Sequence, residues 1–103
     1  MTHRVVFTPE AEGQLDELYH YLAGAATPDT AAGYVEAVIG YCEGLAVFPH
    51  RGLARDDVRP GLRTTSYQKR TVVAFAVLDD VVAIIGISHG GRDYEAILSD
   101  PDA

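Results

Sequence analysis

Apolar positions along this chain follow two kinds of spacing, and the change from one to the other marks out its elements. From His3 to Thr8 they alternate, placing His3, Val5 and Phe7 on one side of a short strand. Thr8-Pro9-Glu10 then has the form of a helix start: a capping hydroxyl, a proline suited to the first helical position, and an acid at the positive end of the dipole. Ala11, Leu15, Leu18 and Leu22 recur at helical steps, with Glu12, Asp16, Glu17 and His20 on the wet side, and Gly24 is the expected end. Thr27-Pro28-Asp29 repeats the start signal, so a second helix folds back on the first as a hairpin.

The second helix has a primary stripe of Tyr34, Val38, Tyr41, Leu45 and Phe48 and a second apolar row of Val35, Ile39, Cys42 and Ala46. Such a circumference predicts a helix that is sandwiched or partly covered by another chain. Gly33, Gly40 and Gly44 each cost it about 1 kcal/mol against alanine, so close backbone approach is the expected reason for them, and Pro49 is the expected stop. A loop rich in Gly, Pro and Arg runs from His50 to Gly61. Leu62 to Tyr67, Thr71 to Leu78 and Val81 to Ser88 read as three strands, the last two joined at Asp79-Asp80. Both long strands are apolar on both faces, which requires cover on two sides. The helical hairpin supplies one side, and a short helix capped by Asp93 and running to Leu98 is a candidate for part of the other. The fold class is therefore α+β: an antiparallel sheet with an N-terminal strand, a two-helix hairpin on one face, three C-terminal strands and a short C-terminal helix, all in a single domain over residues 1–103.

Composition narrows the function. The chain is 48% hydrophobic and 22% charged, as a globular domain should be. No stretch approaches the roughly 20 apolar residues of a membrane span. The first residues turn polar too soon for a signal peptide, and the lone Cys42 has no disulfide partner, so a cytoplasmic location is expected. The net charge of −7 argues against stable nucleic-acid binding by the chain alone. Six of the eight basic residues nevertheless lie between Arg51 and Arg70 (Arg51, Arg55, Arg59, Arg63, Lys69, Arg70) against Asp56 and Asp57 only, a local balance of +4. That band fits one particular anionic partner, or a solvated loop.

Catalytic signatures are sparse. Gly86-Ile87-Ser88-His89-Gly90-Gly91 has phosphate-loop glycines but lacks the Lys and hydroxyl that hold phosphate and magnesium. The four histidines and Cys42 show no metal-ligand spacing, and no metal or other cofactor is expected. His89, Arg92 and Tyr94 remain as weak catalytic candidates, arginine holding phosphate while His or Tyr moves protons.

Five segments in order, Thr8-Pro9-Glu10-Ala11-Glu12 with Leu15 and Tyr21-Leu22, Phe48-Pro49-x-x-Gly52, Arg59-Pro60-Gly61-Leu62-Arg63, Val72-x-x-Phe75, and Ile87-x-His89-Gly90-x-Arg92-Asp93, resemble the ParE branch of the ParE/RelE toxins of bacterial toxin–antitoxin modules. The resemblance implies a cytosolic toxin that arrests growth, stabilises plasmids, poisons DNA gyrase without being an enzyme, and is neutralised by a ParD-type antitoxin. It leaves two alternatives: a RelE-like, ribosome-dependent mRNA endonuclease, and an inactive member that only binds antitoxin. The lone lysine, Lys69, and the acidic total favour the ParE branch over RelE-like cleavage. Under this reading Arg55, Arg59, Arg63, Lys69, Arg70 and Phe75 are the expected antitoxin contacts, and His89, Arg92, Tyr94, Ile97 and Leu98 the expected contacts with gyrase.

Overall fold

The two threonine starts nucleate two helices. In the computed structural model, which describes residues 3–89, the Thr8 side chain accepts a hydrogen bond from the Ala11 N–H at 3.2 Å, opening α1 (Pro9–Ala25). The Thr27 side chain does the same for the Thr30 N–H at 3.1 Å, opening α2 (Pro28–Glu43). α1 runs one residue past Gly24, and its last bond joins the Ala26 N–H to the Leu22 carbonyl. α2 ends earlier than Pro49: a 3₁₀ turn over Gly44–Ala46 follows, with three residues per turn rather than 3.6. That change of pitch keeps Leu45 in the core but carries Phe48 off the stripe and into water.

The strands are β1 (Arg4–Phe7), β2 (Leu53–Ala54), β3 (Leu62–Tyr67), β4 (Thr71–Leu78) and β5 (Val81–His89), in the order β1-β5-β4-β3-β2. The pairings β2–β3, β3–β4 and β4–β5 are antiparallel, but β1 lies parallel to β5, Val5 opposite Val82 and Phe7 opposite Ile84. The sheet is therefore mixed, not antiparallel throughout. Alternation in β1 sets which side faces the core and carries no information on strand direction. The connection between these parallel neighbours is long, running through both helices and then β2, β3 and β4. β2, two residues long, lies inside the segment expected to be a loop. The expected C-terminal helix lies outside the described residues.

β1 reaches only to Ile84, and α1 closes the rest of that edge. The Thr8 N–H donates to the Ile84 carbonyl, the Thr8 hydroxyl to the Ile85 carbonyl, and the Ile87 N–H to Gln14 Oε1 at 2.7 Å. A bulge sits in the same place, since Phe75 pairs with Ile84 while Ala74 pairs with Gly86, leaving Ile85 over. Gln14 thus takes up a backbone donor at the point where the ladder is irregular.

Val73, Phe75, Val82, Ile84 and Ile87 form the helix-facing core with Ala11, Leu15, Val38, Cys42 and Leu45. The second apolar row of α2 is absorbed there as well, with Val35 and Ile39 packed half-buried against this cluster, so no other chain is needed to cover it. Burial pushes the Cys42 thiol up to about 12, with Glu43 adding to the effect, so the thiol is an inert core group.

A Cβ at Gly33, Gly40 or Gly44 would meet nothing within 4 Å, so close approach does not explain these residues. Gly33→Ala and Gly40→Ala are accordingly expected to stabilise the protein by about 0.5–1 kcal/mol each. A rise of a few degrees in melting temperature would bear this out; a fall would mean that the helix surface needs them.

Candidate functional site

The first candidate cluster stands where β5 ends. His89 is the last described residue of β5 and pairs with Thr71, the first of β4. The Thr71 hydroxyl is wholly buried and has two partners, Tyr34 Oη at 2.7 Å and His89 Nδ1 at 2.9 Å. Tyr34, on α2, also sets its ring edge-on to those of Tyr67 and His89, each at 5.7 Å, and Tyr21 of α1 lies 6.2 Å from the His89 ring. Packing of the hairpin on the sheet brings these residues together from five elements.

Hydrogen-bond accounting favours one arrangement of the protons. If Nδ1 donated to Thr71, the Thr71 hydrogen would have to go to Tyr34, and the phenol hydrogen would lose its only acceptor among the described residues. The arrangement that satisfies every donor runs from Tyr34 O–H to Thr71 and from Thr71 O–H to His89 Nδ1. His89 is then neutral, with its proton on Nε2. Burial lowers its pKa and the charge of Arg70 lowers it further, in agreement with that form. With Nδ1 engaged and Nε2 protonated, His89 offers a donor but no base.

A test follows from the sign of the shift. Between the lowered folded pKa and the ordinary value near 6.5, the unfolded chain binds more protons than the folded one, so stability rises with pH. His89 therefore contributes fully above about pH 6.5 and loses that contribution as pH falls through its folded pKa. Melting temperatures measured from pH 7 downward should fall more steeply for the native chain than for His89→Gln, and ¹⁵N shifts should report the Nε2–H tautomer. The Nδ1–H tautomer would refute the assignment.

The second cluster lies in the loop before β3 and redistributes the basic band. Arg55 forms a two-pronged bond with Asp57, both contacts at 3.1 Å, which holds the Asp57 carboxyl below its usual range. Arg63 turns its guanidinium back on the loop, donating to the carbonyls of His50 at 2.5 Å, Arg51 at 3.4 Å and Gly52 at 3.5 Å. Of the expected antitoxin contacts, these two arginines are thus engaged within the chain, while Arg59, Lys69 and Arg70 are exposed. Lys69 and Arg70 belong to the β3–β4 turn, where Gln68 and Lys69 both have positive φ, 53° and 59°.

Phe75 is a correction. It is 0% exposed in the core beneath the helices and presents nothing to a partner. Arg92, Tyr94, Ile97 and Leu98 lie outside the described residues. Among those described, no three His, Cys, Asp or Glu residues could hold a metal ion, and no helix is long and apolar enough to cross a membrane.

The sheet face away from the helices carries the third feature. Val6 alternates with the core-facing Val5 and Phe7, Leu78 follows the core-facing Val77, and Leu53 pairs with Thr64, whose neighbour Thr65 points to Tyr41 of α2. Val6, Leu53 and Leu78 therefore share the face opposite the hairpin, and they are 37%, 63% and 58% exposed. Sequence reasoning found His89 but missed Tyr34, Tyr67 and Thr71 as its partners. A tyrosine in a helix stripe and a threonine opening a strand each carry an ordinary explanation.

These features define a small mixed sheet covered on one face by a helical hairpin, with exposed apolar residues at the rim of the other. The sequence matches the family described as ParE toxin of type II toxin–antitoxin system, parDE, over residues 5–94. The chain belongs to the ParE toxin family. Among solved structures, the fold is similar to a chain of the chromosomal ParDE toxin–antitoxin system from P. aeruginosa, at 21% identity and a TM-score of 0.76, covering 86% of this chain and 97% of that one. It is also similar to a chain of the RelBE2 toxin–antitoxin complex from Mycobacterium tuberculosis, at 22% identity and a TM-score of 0.61, covering 86% and 99%. No curated protein sequence matches.

Proposed function

We propose that this chain is the toxin of a type II module, masked by a ParD-type antitoxin and acting on DNA gyrase by binding rather than by chemistry. The family match carries the reading, and Val6 and Leu53, on the two edge strands, and Leu78, at the end of β4, add exposed apolar positions around a sheet centre where Leu62, Thr64 and Ala74 are buried. Single exposed apolar residues are ordinary, but these positions suit a partner that grips the rim of the sheet with apolar side chains. The family match supports the toxin class.

The proton arrangement at His89 weighs against the RelE-like alternative. Cleavage of RNA needs a base to take the 2′-hydroxyl proton, and in the arrangement that pairs every donor His89 keeps neither ring nitrogen free for it. Gyrase supercoiling and mRNA integrity, measured with the same purified chain, test the choice. Inhibition of supercoiling with intact mRNA is the expected result. Cleaved mRNA with unaffected gyrase would overturn the proposal, and activity in neither assay would leave a module that only binds antitoxin.

A further inference from the structure

We propose that Phe48 and Arg51 form a preorganised anchor for a second antitoxin segment, one in which an apolar side chain stands next to a carboxylate. This rests on the reading that an antitoxin masks the chain.

Val47 and Phe48 are 63% and 60% exposed, neighbours in sequence on the far side of the 3₁₀ turn. With Pro49, His50 and Arg51 they line an open depression of about 530 Å³. The Arg51 guanidinium lies 5.5 Å from the centre of the Phe48 ring and 5.6 Å from that of Tyr41, within cation–π range of both. It forms no ion pair among the described residues. A guanidinium held against ring faces keeps its N–H edge available, and that edge matches a carboxylate in two-point geometry.

The loop is already fixed. The Arg51 N–H donates to the Phe48 carbonyl at 3.2 Å, and Arg63 gathers the carbonyls of residues 50–52. Gly52 sits against β3, and Tyr41 is tied to Thr65 Oγ1 at 2.6 Å. A surface ordered before binding loses little entropy when it is filled.

Charge selects the occupant. Outside the segment from Arg51 to Arg70 the chain carries a net −11, which repels a polyanion such as nucleic acid far more than a peptide bearing one or two carboxylates. An aromatic ring for an apolar side chain and a fixed fork for one acid describe a protein ligand.

The probe is the protein encoded by the reading frame adjoining this one, titrated calorimetrically at low and high salt. Phe48→Ala should weaken binding by about 30-fold at both salts, as a central aromatic anchor does. Arg51→Ala should weaken it about tenfold at low salt and less at high salt. Arg51→Lys, which keeps the charge and loses the fork, should recover little. Both side chains are exposed at the loop, so melting temperatures of the three variants should stay near that of the native chain. Native-chain binding with both alanine variants within about twofold of it would overturn the anchor while leaving antitoxin masking intact. If the native chain itself fails to bind, the masking proposal fails and the anchor falls with it.

Discussion

Phe75→Ala is expected to cost about 3–5 kcal/mol, the usual penalty for emptying a buried aromatic site. For a domain of this size that is on the order of 20 °C in melting temperature. Phe75 is wholly buried in β4 and belongs to the cluster joining both helices to β4 and β5. Nothing at its position can collapse into the space without moving a helix off the sheet. A loss of that size is enough to lower the yield of folded alanine variant, so Phe75→Leu is the informative companion. It should lower the melting temperature by a few degrees and leave antitoxin affinity unchanged. A folded Phe75→Leu protein with weakened antitoxin binding would restore the partner-contact role that its burial denies.

Gly52→Ala is the second large expected effect, about 2–3 kcal/mol. Gly52 has φ of +83°, in the left-handed region, and an added Cβ would run into the Thr64 carbonyl oxygen and lie 3.0 Å from Thr65 Cβ. Both obstacles belong to β3, one of them backbone, so the neighbour cannot yield. The chain must instead swing outward, which detaches β2 and breaks the hold of Arg63 on residues 50–52. Thermal unfolding should shift down by on the order of 10 °C, and the Arg55 amide, which donates to the Leu62 carbonyl, should lose protection from hydrogen exchange. An unchanged melting temperature with that amide still protected would show that the loop does not depend on this contact.

Much of the fold is legible in the chain because two local signals are strong. Threonine followed by proline starts both helices, and the runs Leu62–Tyr67 and Thr71–Leu78 are bounded where the residues change character. What escapes is whatever local pattern does not encode. The parallel placement of β1 beside β5 depends on residues about 77 positions apart, and β2 is too short to show an alternation. The glycines of α2 face open space, so their cost is simply borne, and no packing rule could reveal that. Phe75 escapes for a different reason: β4 is apolar on both faces, so alternation cannot tell the core side from the other. The site is legible only in part. His89 stands out as a histidine closing a strand, yet its chemical state depends on Thr71 and Tyr34, which only the tertiary fold brings to it. The basic band likewise looks uniform in sequence, while the structure commits Arg55 and Arg63 to internal bonds.

The parallel pair has a consequence for biosynthesis. β5 lies at the centre of the sheet between β1 and β4, yet it is the last described strand to leave the ribosome. At 5–20 residues per second, Val5 waits roughly 4–15 s after its own synthesis before Val82 exists to pair with it. During that interval the nascent chain holds helices without a complete sheet beneath them, and the face opposite the hairpin does not yet exist. Competence to bind any partner through that face therefore arrives abruptly, once β5 has been made.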